Sequence, residues 1–266
     1  MIELIAIDLD GTLLDSNRTI PEKNARAIAE AVRQGVRVVP ASGRICSSIR
    51  PFCDELGLDG TMVCCNGAHV LCGGKEIVHV GLGSEITRVI VEYAFDTNEH
   101  LNLYCRDKLY FASDSVWGEV YLSRVRTIVP EVVSKEQALR LLPTKTILVA
   151  DPARMQRHFE HFSKVLPSDE VELVFSEPDY LEVLPAGVSK ASGLKALAEH
   201  WGIAREKIAA IGDFYNDLEM IEWAGIGVAM ANAPEEIRNA AQVVTRSNNE
   251  CGVAAFIEDY VLSVRR

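Results

Sequence analysis

Ile2-Glu3-Leu4-Ile5-Ala6-Ile7-Asp8-Leu9-Asp10-Gly11-Thr12 is the stretch that decides the fold of this chain. The nearly unbroken apolar run from Ile2 to Ile7 is the pattern of a strand buried on both faces, as in a parallel sheet. It stops at two carboxylates, Asp8 and Asp10, followed by Gly11 and Thr12. A plain polar turn would use the same residue types. Carboxylates this close raise each other's pKa, however, and a bound divalent cation removes that cost.

The same event recurs outward from this point. A helix begins near Glu22, with Pro21 suited to its first turn, apolar residues at Ala25, Ile28, Ala29 and Val32, and Gly35 as its stop. The run Val36 to Pro40 then ends at Ala41-Ser42-Gly43-Arg44, and Met62-Val63-Cys64-Cys65 ends at Asn66-Gly67. Near the other terminus, Ile208 to Ile211 ends at Gly212-Asp213-Phe214-Tyr215-Asn216-Asp217, and Ile226 to Ala229 is a further strand. A last amphipathic helix carries Val253, Phe256, Ile257, Tyr260 and Val261. Apolar strands alternating with helices predict an α/β fold with a doubly wound, Rossmann-like parallel-sheet core. In such sheets ligands bind outside the carboxyl ends of the strands, so these polar endings should converge.

The middle of the chain has a different pattern. A helix from Ser84 carries Ile86, Val89, Ile90 and Tyr93, and the runs Leu101 to Tyr104 and Leu109 to Phe111 flank an Arg106-Asp107-Lys108 turn. A strand over Lys145 to Ala150, a helix near Pro152 to Leu166, and strands over Val171 to Phe175 and Tyr180 to Leu184 follow. This is read as an inserted α+β cap domain over residues 82–184, leaving 1–81 and 185–266 as the core domain. Gly81-Leu82-Gly83 and Pro185-Ala186-Gly187 are the expected hinges.

Composition bounds the function. The 266 residues, 48% of them hydrophobic, are enough for a full core without a disulfide or metal staple. A net charge of −11 opposes a broad nucleic-acid or anionic-lipid surface. No apolar run approaches the roughly 20 residues of a membrane span. The N-terminus lacks the basic region and cleavage site of a secretory leader, so the expected setting is cytoplasmic. Seven cysteines without a CxxC pair are expected to be free thiols. His69 between Cys65 and Cys72 falls short of a zinc-ligand set.

Three groups carry the chemistry. Asp213 and Asp217 bring two more carboxylates to the edge that holds Asp8 and Asp10, and such hard oxygen ligands suit Mg²⁺. Asn216 or Asp217 would also serve as a simple helix cap. Ser189 reads as the N-cap of a helix over Leu194, Leu197, Ala198 and Trp201, which puts Lys190 in the first turn. A cation there is disfavoured by roughly 0.3 to 1 kcal/mol unless an anion lies nearby. Ser42 and the Gly43 amide can donate to phosphate oxygens, and Arg44 adds a cation that an acidic neighbour could equally pair.

The order Asp-x-Asp-Gly-Thr, Ser-Gly-Arg, Gly-Val-Ser-Lys (Gly187 to Lys190) and Gly-Asp-x-x-Asn-Asp resembles the haloacid dehalogenase-like phosphatases. The long insertion and the Cys65-Asn66-Gly67-Ala68 strand end resemble the Cof-type subgroup, with its large α/β cap. The resemblance implies that Asp8 is the nucleophile and Asp10 the general acid and base. It implies Mg²⁺ at Asp8, the Asp10 carbonyl and Asp213, with Asp217 orienting Lys190 or a metal-bound water. Ser42, Gly43, Lys190, Asn216 and the Leu9 amide would hold phosphoryl oxygens. Phe214 departs from the small or polar residue frequent in the family. The implied substrate is a small phosphorylated metabolite, a sugar phosphate or a phosphorylated cofactor such as pyridoxal phosphate or flavin mononucleotide. A phosphosugar mutase or a phospho-accepting signalling module are the alternatives. Arg44, Asn66, Tyr104, Arg106 and Tyr110 are further candidate substrate contacts, and a monomer or homodimer is expected.

Overall fold

The computed structural model describes residues 1–124 and 129–263. From the N-terminus it runs β1 (Leu4–Ile7), α1 (Glu22–Arg33), β2 (Arg37–Pro40), α2 (Cys46–Leu56), β3 (Met62–Cys64), β4 (His69–Cys72) and β5 (Lys75–His79). The middle segment contains α3 (Ser84–Thr97), β6 (His100–Cys105), β7 (Lys108–Phe111), α4 (Val116–Arg124), β8 (Glu131–Val132), α5 (Lys135–Ala138), β9 (Lys145–Val149), α6 (Pro152–Val165), β10 (Val171–Glu177) and β11 (Tyr180–Pro185). The chain ends with α7 (Lys190–Trp201), β12 (Ile208–Gly212), α8 (Leu218–Trp223), β13 (Ile226–Ala229), α9 (Glu235–Ala240), β14 (Val243–Val244) and α10 (Gly252–Phe256), continued as a π-helical turn over Ile257–Leu262.

Two compact units result. The first comprises Met1–Val78 and Ser189–Arg266, and the second His79–Val188. The first is built on a parallel sheet in the order β14-β13-β12-β1-β2. All four residues of β1 are buried, as expected for a central strand with neighbours on both sides. The chain leaves β1 toward β2 on one side and returns through β12 on the other, so the topological switch point falls beside β1. Beyond β2 a single parallel bridge, Ala41 to Val63, brings in β3, which then turns into the antiparallel β3-β4-β5 sheet.

The buried stripe of α1 is rotated from the expected one. Asn24, Ala27, Ile28 and Ala31 face inward, whereas Ala29 is exposed. The cause is a buried polar link: the Asn24 amide donates to the Leu13 carbonyl at 3.2 Å and accepts from the Ala254 amide at 3.0 Å.

The second unit is a six-stranded sheet in the order β10-β11-β9-β6-β7-β8, antiparallel except for the β7–β8 pair. One face carries Leu101, Leu103, Leu148, Leu181 and Val183, which pack with Ile86 and Ile90 of α3 and Phe162 of α6.

The cysteine expectation needs correction. Cys46 and Cys64 are joined as a disulfide with their Cα atoms 5.5 Å apart, while Cys53, Cys65, Cys72, Cys105 and Cys251 are not in disulfides. Sequence distance concealed the pair, because only the meeting of the α2 start with the β3 end brings them together.

Candidate active site

The loops after β1, β2, β3 and β12, together with the first turn of α7, supply the site. Lys190 is 1% exposed although it is charged, and it lies where the helix dipole disfavours a cation. The α7 start is fixed by Ser189: its hydroxyl accepts from the Ser192 amide at 3.3 Å, and the Ser189 amide donates back to the Ser192 hydroxyl at 3.0 Å. The Lys190 ammonium then donates to Asp8 Oδ1 at 2.7 Å and to Asp217 Oδ1 at 2.6 Å. Burial alone would pull this ammonium's pKa down, but Asp217 and Asp8 outweigh it and raise the pKa above its ordinary value.

Asp217 does not cap the following helix. Its Oδ2 accepts from the Asp213 amide at 3.0 Å and the Phe214 amide at 3.1 Å, closing the loop after β12 around a fully buried carboxylate. With Lys190 on Oδ1, both oxygens of Asp217 already carry donors. Asp213 sits against the first loop: Oδ1 accepts from the Thr12 hydroxyl at 2.9 Å, and Oδ2 from the Asn232 amide at 3.2 Å. Gly11 permits this approach, because a Cβ there would lie 2.3 Å from Asp213 Oδ2 and the backbone φ is +79°.

Ligand oxygens of Asp8, Asp213 and Asp217 lie within 4.8 Å of one another. Burial pushes Asp8 well above the usual carboxylate range, against the pull of Lys190 and with added repulsion from Asp217 and Asp213. Burial and the neighbouring Asp217 push Asp213 up to about 6. Crowded, buried carboxylates whose ionisation is resisted fit a divalent cation, which would hold them ionised. Asp8 and Asp213 are the side chains best placed as ligands, since Asp217 is fully buried and held by an ammonium and two loop amides, whereas Asp213 is half-buried and accepts only from the neutral side chains of Thr12 and Asn232.

On the β2 side, the buried Ser42 hydroxyl accepts from the Arg44 amide at 3.2 Å. The Arg44 guanidinium grips the Asp10 carboxylate through two nitrogens, Nε lying 2.7 Å from Oδ2. Arg44, expected as a possible substrate contact, is therefore the partner of Asp10. Asn66 accepts from Asn216 at 3.2 Å and lies against Gly43. The Asn66 loop is pressed onto the α7 start at Gly67, where φ is +96° and a Cβ would lie 2.0 Å from the Ser189 carbonyl oxygen. Leu9 lies between the two aspartates with its side chain fully buried. Asp8, Leu9, Asp10, Ser42, Gly43, Arg44, Asn66, Lys190, Asp213, Asn216 and Asp217 are thus joined by these contacts or adjacent in sequence within one unit.

Tyr104, Arg106 and Tyr110 belong to the second unit. Tyr104 is 3% exposed, with its hydroxyl against that of Tyr121 and Lys145 Nζ 5.2 Å from its ring centre. Tyr110 packs on the apolar core of the same unit. Strand alternation commits both rings to that unit's packing, whereas Arg106 is exposed at the β6–β7 turn.

Asn232 and Asn248 escaped the sequence reading. Asn232 donates to the Gly11 carbonyl at 2.9 Å as well as to Asp213, and it accepts from the Asn248 amide at 3.0 Å. The signal was available: Asn232 follows the end of β13, where a parallel sheet presents its ligand-binding edge.

The chain also matches known proteins over nearly its whole length. A family model described as haloacid dehalogenase-like hydrolase matches residues 5–257. The chain is 30% identical over 262 residues to the 5-amino-6-(5-phospho-D-ribitylamino)uracil phosphatase YcsE of Bacillus subtilis, covering 98% of this chain and 96% of that protein. It is 27% identical over 271 residues to the pyridoxal phosphate phosphatase YbhA of Escherichia coli, covering 97% and 98% respectively. A crystal structure of a haloacid dehalogenase-like hydrolase from Bacteroides thetaiotaomicron superposes with a TM-score of 0.90 at 31% identity, over 97% of this chain and 99% of that one.

Proposed function

The chain belongs to the haloacid dehalogenase-like hydrolases, and from that premise we propose that it is a Mg²⁺-dependent phosphatase working through a phospho-Asp8 intermediate. The observation that carries this reading is the buried Asp8–Lys190–Asp217 array beside Asp213. Lys190 holds one oxygen of Asp8 and so fixes the carboxylate. Asp8 attacks phosphorus, and the ester oxygen leaves with a proton from Asp10. Water then gives a proton to Asp10 and attacks phosphorus, and Asp8 leaves as a free carboxylate. Arg44 stabilises the negative charge of Asp10 each time that group is left ionised. Ser42, Gly43 and Asn216 stand to orient the phosphoryl oxygens. A Mg²⁺ held by Asp8, Asp213 and the Asp10 carbonyl would neutralise charge on the phosphoryl group.

The substrates we assign are small phosphorylated metabolites, either sugar phosphates or phosphorylated cofactors. Two relatives named for phosphoesters with a heterocyclic group, a ribitylaminouracil phosphate and pyridoxal phosphate, support the second class. The net charge of −11 disfavours polyanionic partners, and among the described residues no helix is long and apolar enough to cross a membrane. We assign leaving-group choice to the second unit, which holds none of the four motifs beyond Gly187 and Val188 at its end.

Phosphate release from an aryl phosphate and a panel of phosphometabolites, with Mg²⁺, tests the reading. Turnover of the aryl ester together with selective turnover of a few metabolites supports it. No phosphate release from any ester contradicts it. Substitution of Arg106 should alter kcat/KM unequally among metabolites while sparing the aryl ester.

A further inference from the structure

The Cys46–Cys64 bond lies outside the phosphoryl chemistry, yet it joins two segments that carry it. Cys46 opens α2 two residues after Arg44, and Cys64 ends β3 two residues before Asn66. Between them runs a seam of backbone hydrogen bonds: the Ser42 amide to the Val63 carbonyl at 2.9 Å, the Cys65 amide to the Arg44 carbonyl at 2.8 Å, and the Asn66 amide to the Ser42 carbonyl at 3.1 Å. The disulfide closes this seam at the side-chain level, with a Cα separation of 5.5 Å that suits a disulfide.

One of the two sulfurs has a base beside it. His69 Nδ1, on β4, lies 3.3 Å from Cys46 Sγ, and Glu76 Oε2 lies 3.0 Å from His69 Nε2. With its ring proton on Nε2, His69 accepts at Nδ1 from the Cys46 thiol. Cys46 is also the first residue of an eleven-residue helix. The Cys53 and Cys105 thiols are pushed up to about 11, chiefly by burial.

We propose that Cys46 and Cys64 form a reversible oxidation site, through which a peroxide-class oxidant fastens the phosphate-binding seam and a dithiol reductant loosens it. The Cys46 thiol gives its proton to His69 Nδ1, and its sulfur attacks a peroxide oxygen. The O–O bond breaks, and the departing hydroxide takes the proton from His69 to become water, leaving a Cys46 sulfenic acid. The Cys64 sulfur then attacks the Cys46 sulfur; the S–S bond forms, the S–O bond breaks, and the hydroxide leaves as water with the Cys64 proton. Two thiols and one peroxide thus become one disulfide and two waters. A dithiol reverses the change by supplying two electrons and two protons. In the reduced state, two unbonded thiols need more room than one disulfide, so the α2 start and Ser42-Gly43-Arg44 move away from the β3 end.

The test counts thiols by alkylation and mass spectrometry, and measures binding of inorganic phosphate calorimetrically on the Mg²⁺-loaded protein in both redox states. After dithiothreitol all seven cysteines should be alkylated, and after equimolar hydrogen peroxide five, with Cys46 and Cys64 recovered as one linked pair. Reduction should weaken phosphate binding about fivefold, at the low end of coupling between sites. Cys46→Ala and, independently, Cys64→Ser should bind phosphate like the reduced protein whether or not peroxide is added; circular dichroism identifies either variant if it fails to fold. Seven alkylated thiols after peroxide would overturn the proposal, as would a linked pair with unchanged phosphate affinity. Neither readout requires turnover, so failure here is separate from failure of the phosphatase assignment.

Discussion

Arg44 holds Asp10 by a two-pronged contact, with Nε 2.7 Å from Oδ2 and Nη2 on Oδ1. The pair spans the loops after two adjacent strands, so the carboxylate assigned to proton transfer is oriented by the segment assigned to phosphate binding.

Arg44→Ala should therefore lower kcat by about tenfold to a hundredfold, the range for a lost hydrogen bond to a charged group. KM should change much less, and Arg44→Lys should restore only part of the loss, because an ammonium lacks the planar fork. Steady-state kinetics on an aryl phosphate check this; a change confined to KM would make Arg44 a substrate contact instead.

Asp217 is assigned to position Lys190. Asp217→Asn should destabilise the metal-free protein by about 3 kcal/mol, because it removes one partner of a buried ion pair. Urea denaturation in excess chelator measures it. Unchanged metal-free stability with a loss of Mg²⁺ affinity would make Asp217 a ligand instead.

Metal binding and pH are linked. Asp213, raised to about 6, and Asp8, also raised, hold protons in the metal-free fold at a pH where the unfolded chain has released them. The folded state therefore binds more protons between about pH 4 and 6, and these two groups lower the metal-free stability as pH rises through that window. Mg²⁺ bound by these carboxylates would displace those protons. The rise in melting temperature on adding Mg²⁺ should be larger at about pH 7.5 than at about pH 5. Equal rises would contradict the assignment of these two carboxylates as ligands.

Asn232→Ala should raise the Mg²⁺ concentration for half-maximal activity by about tenfold or more, as loss of an outer partner of a ligand does. Its amide ties Asp213 to the Gly11 carbonyl. Activity at saturating Mg²⁺ should largely recover.

The sequence showed the parallel core through its recurring apolar runs with polar ends, and the site through the residues at those ends. Lys190 was legible because a first-turn cation asks for an anion, which the structure supplies as Asp8 and Asp217. The less legible features depend on which side chains meet across loops. The convergence of the strand ends was expected, but the spacing of Arg44 and Asp10, or of Cys46 and Cys64, does not record that these side chains pair there. Tyr104 was a candidate substrate contact that could equally face solvent or its own unit's core, and it is 3% exposed with its hydroxyl against that of Tyr121.

The central claim is that Asp8 accepts the phosphoryl group. Acid quenching during turnover of an aryl phosphate with Mg²⁺, followed by peptide mass spectrometry, tests it directly. The account predicts one phosphoryl group on the peptide containing Asp8, lost after mild base, and neither label nor turnover in Asp8→Asn. A phosphoryl group on another residue, or full hydrolysis by Asp8→Asn, would contradict it.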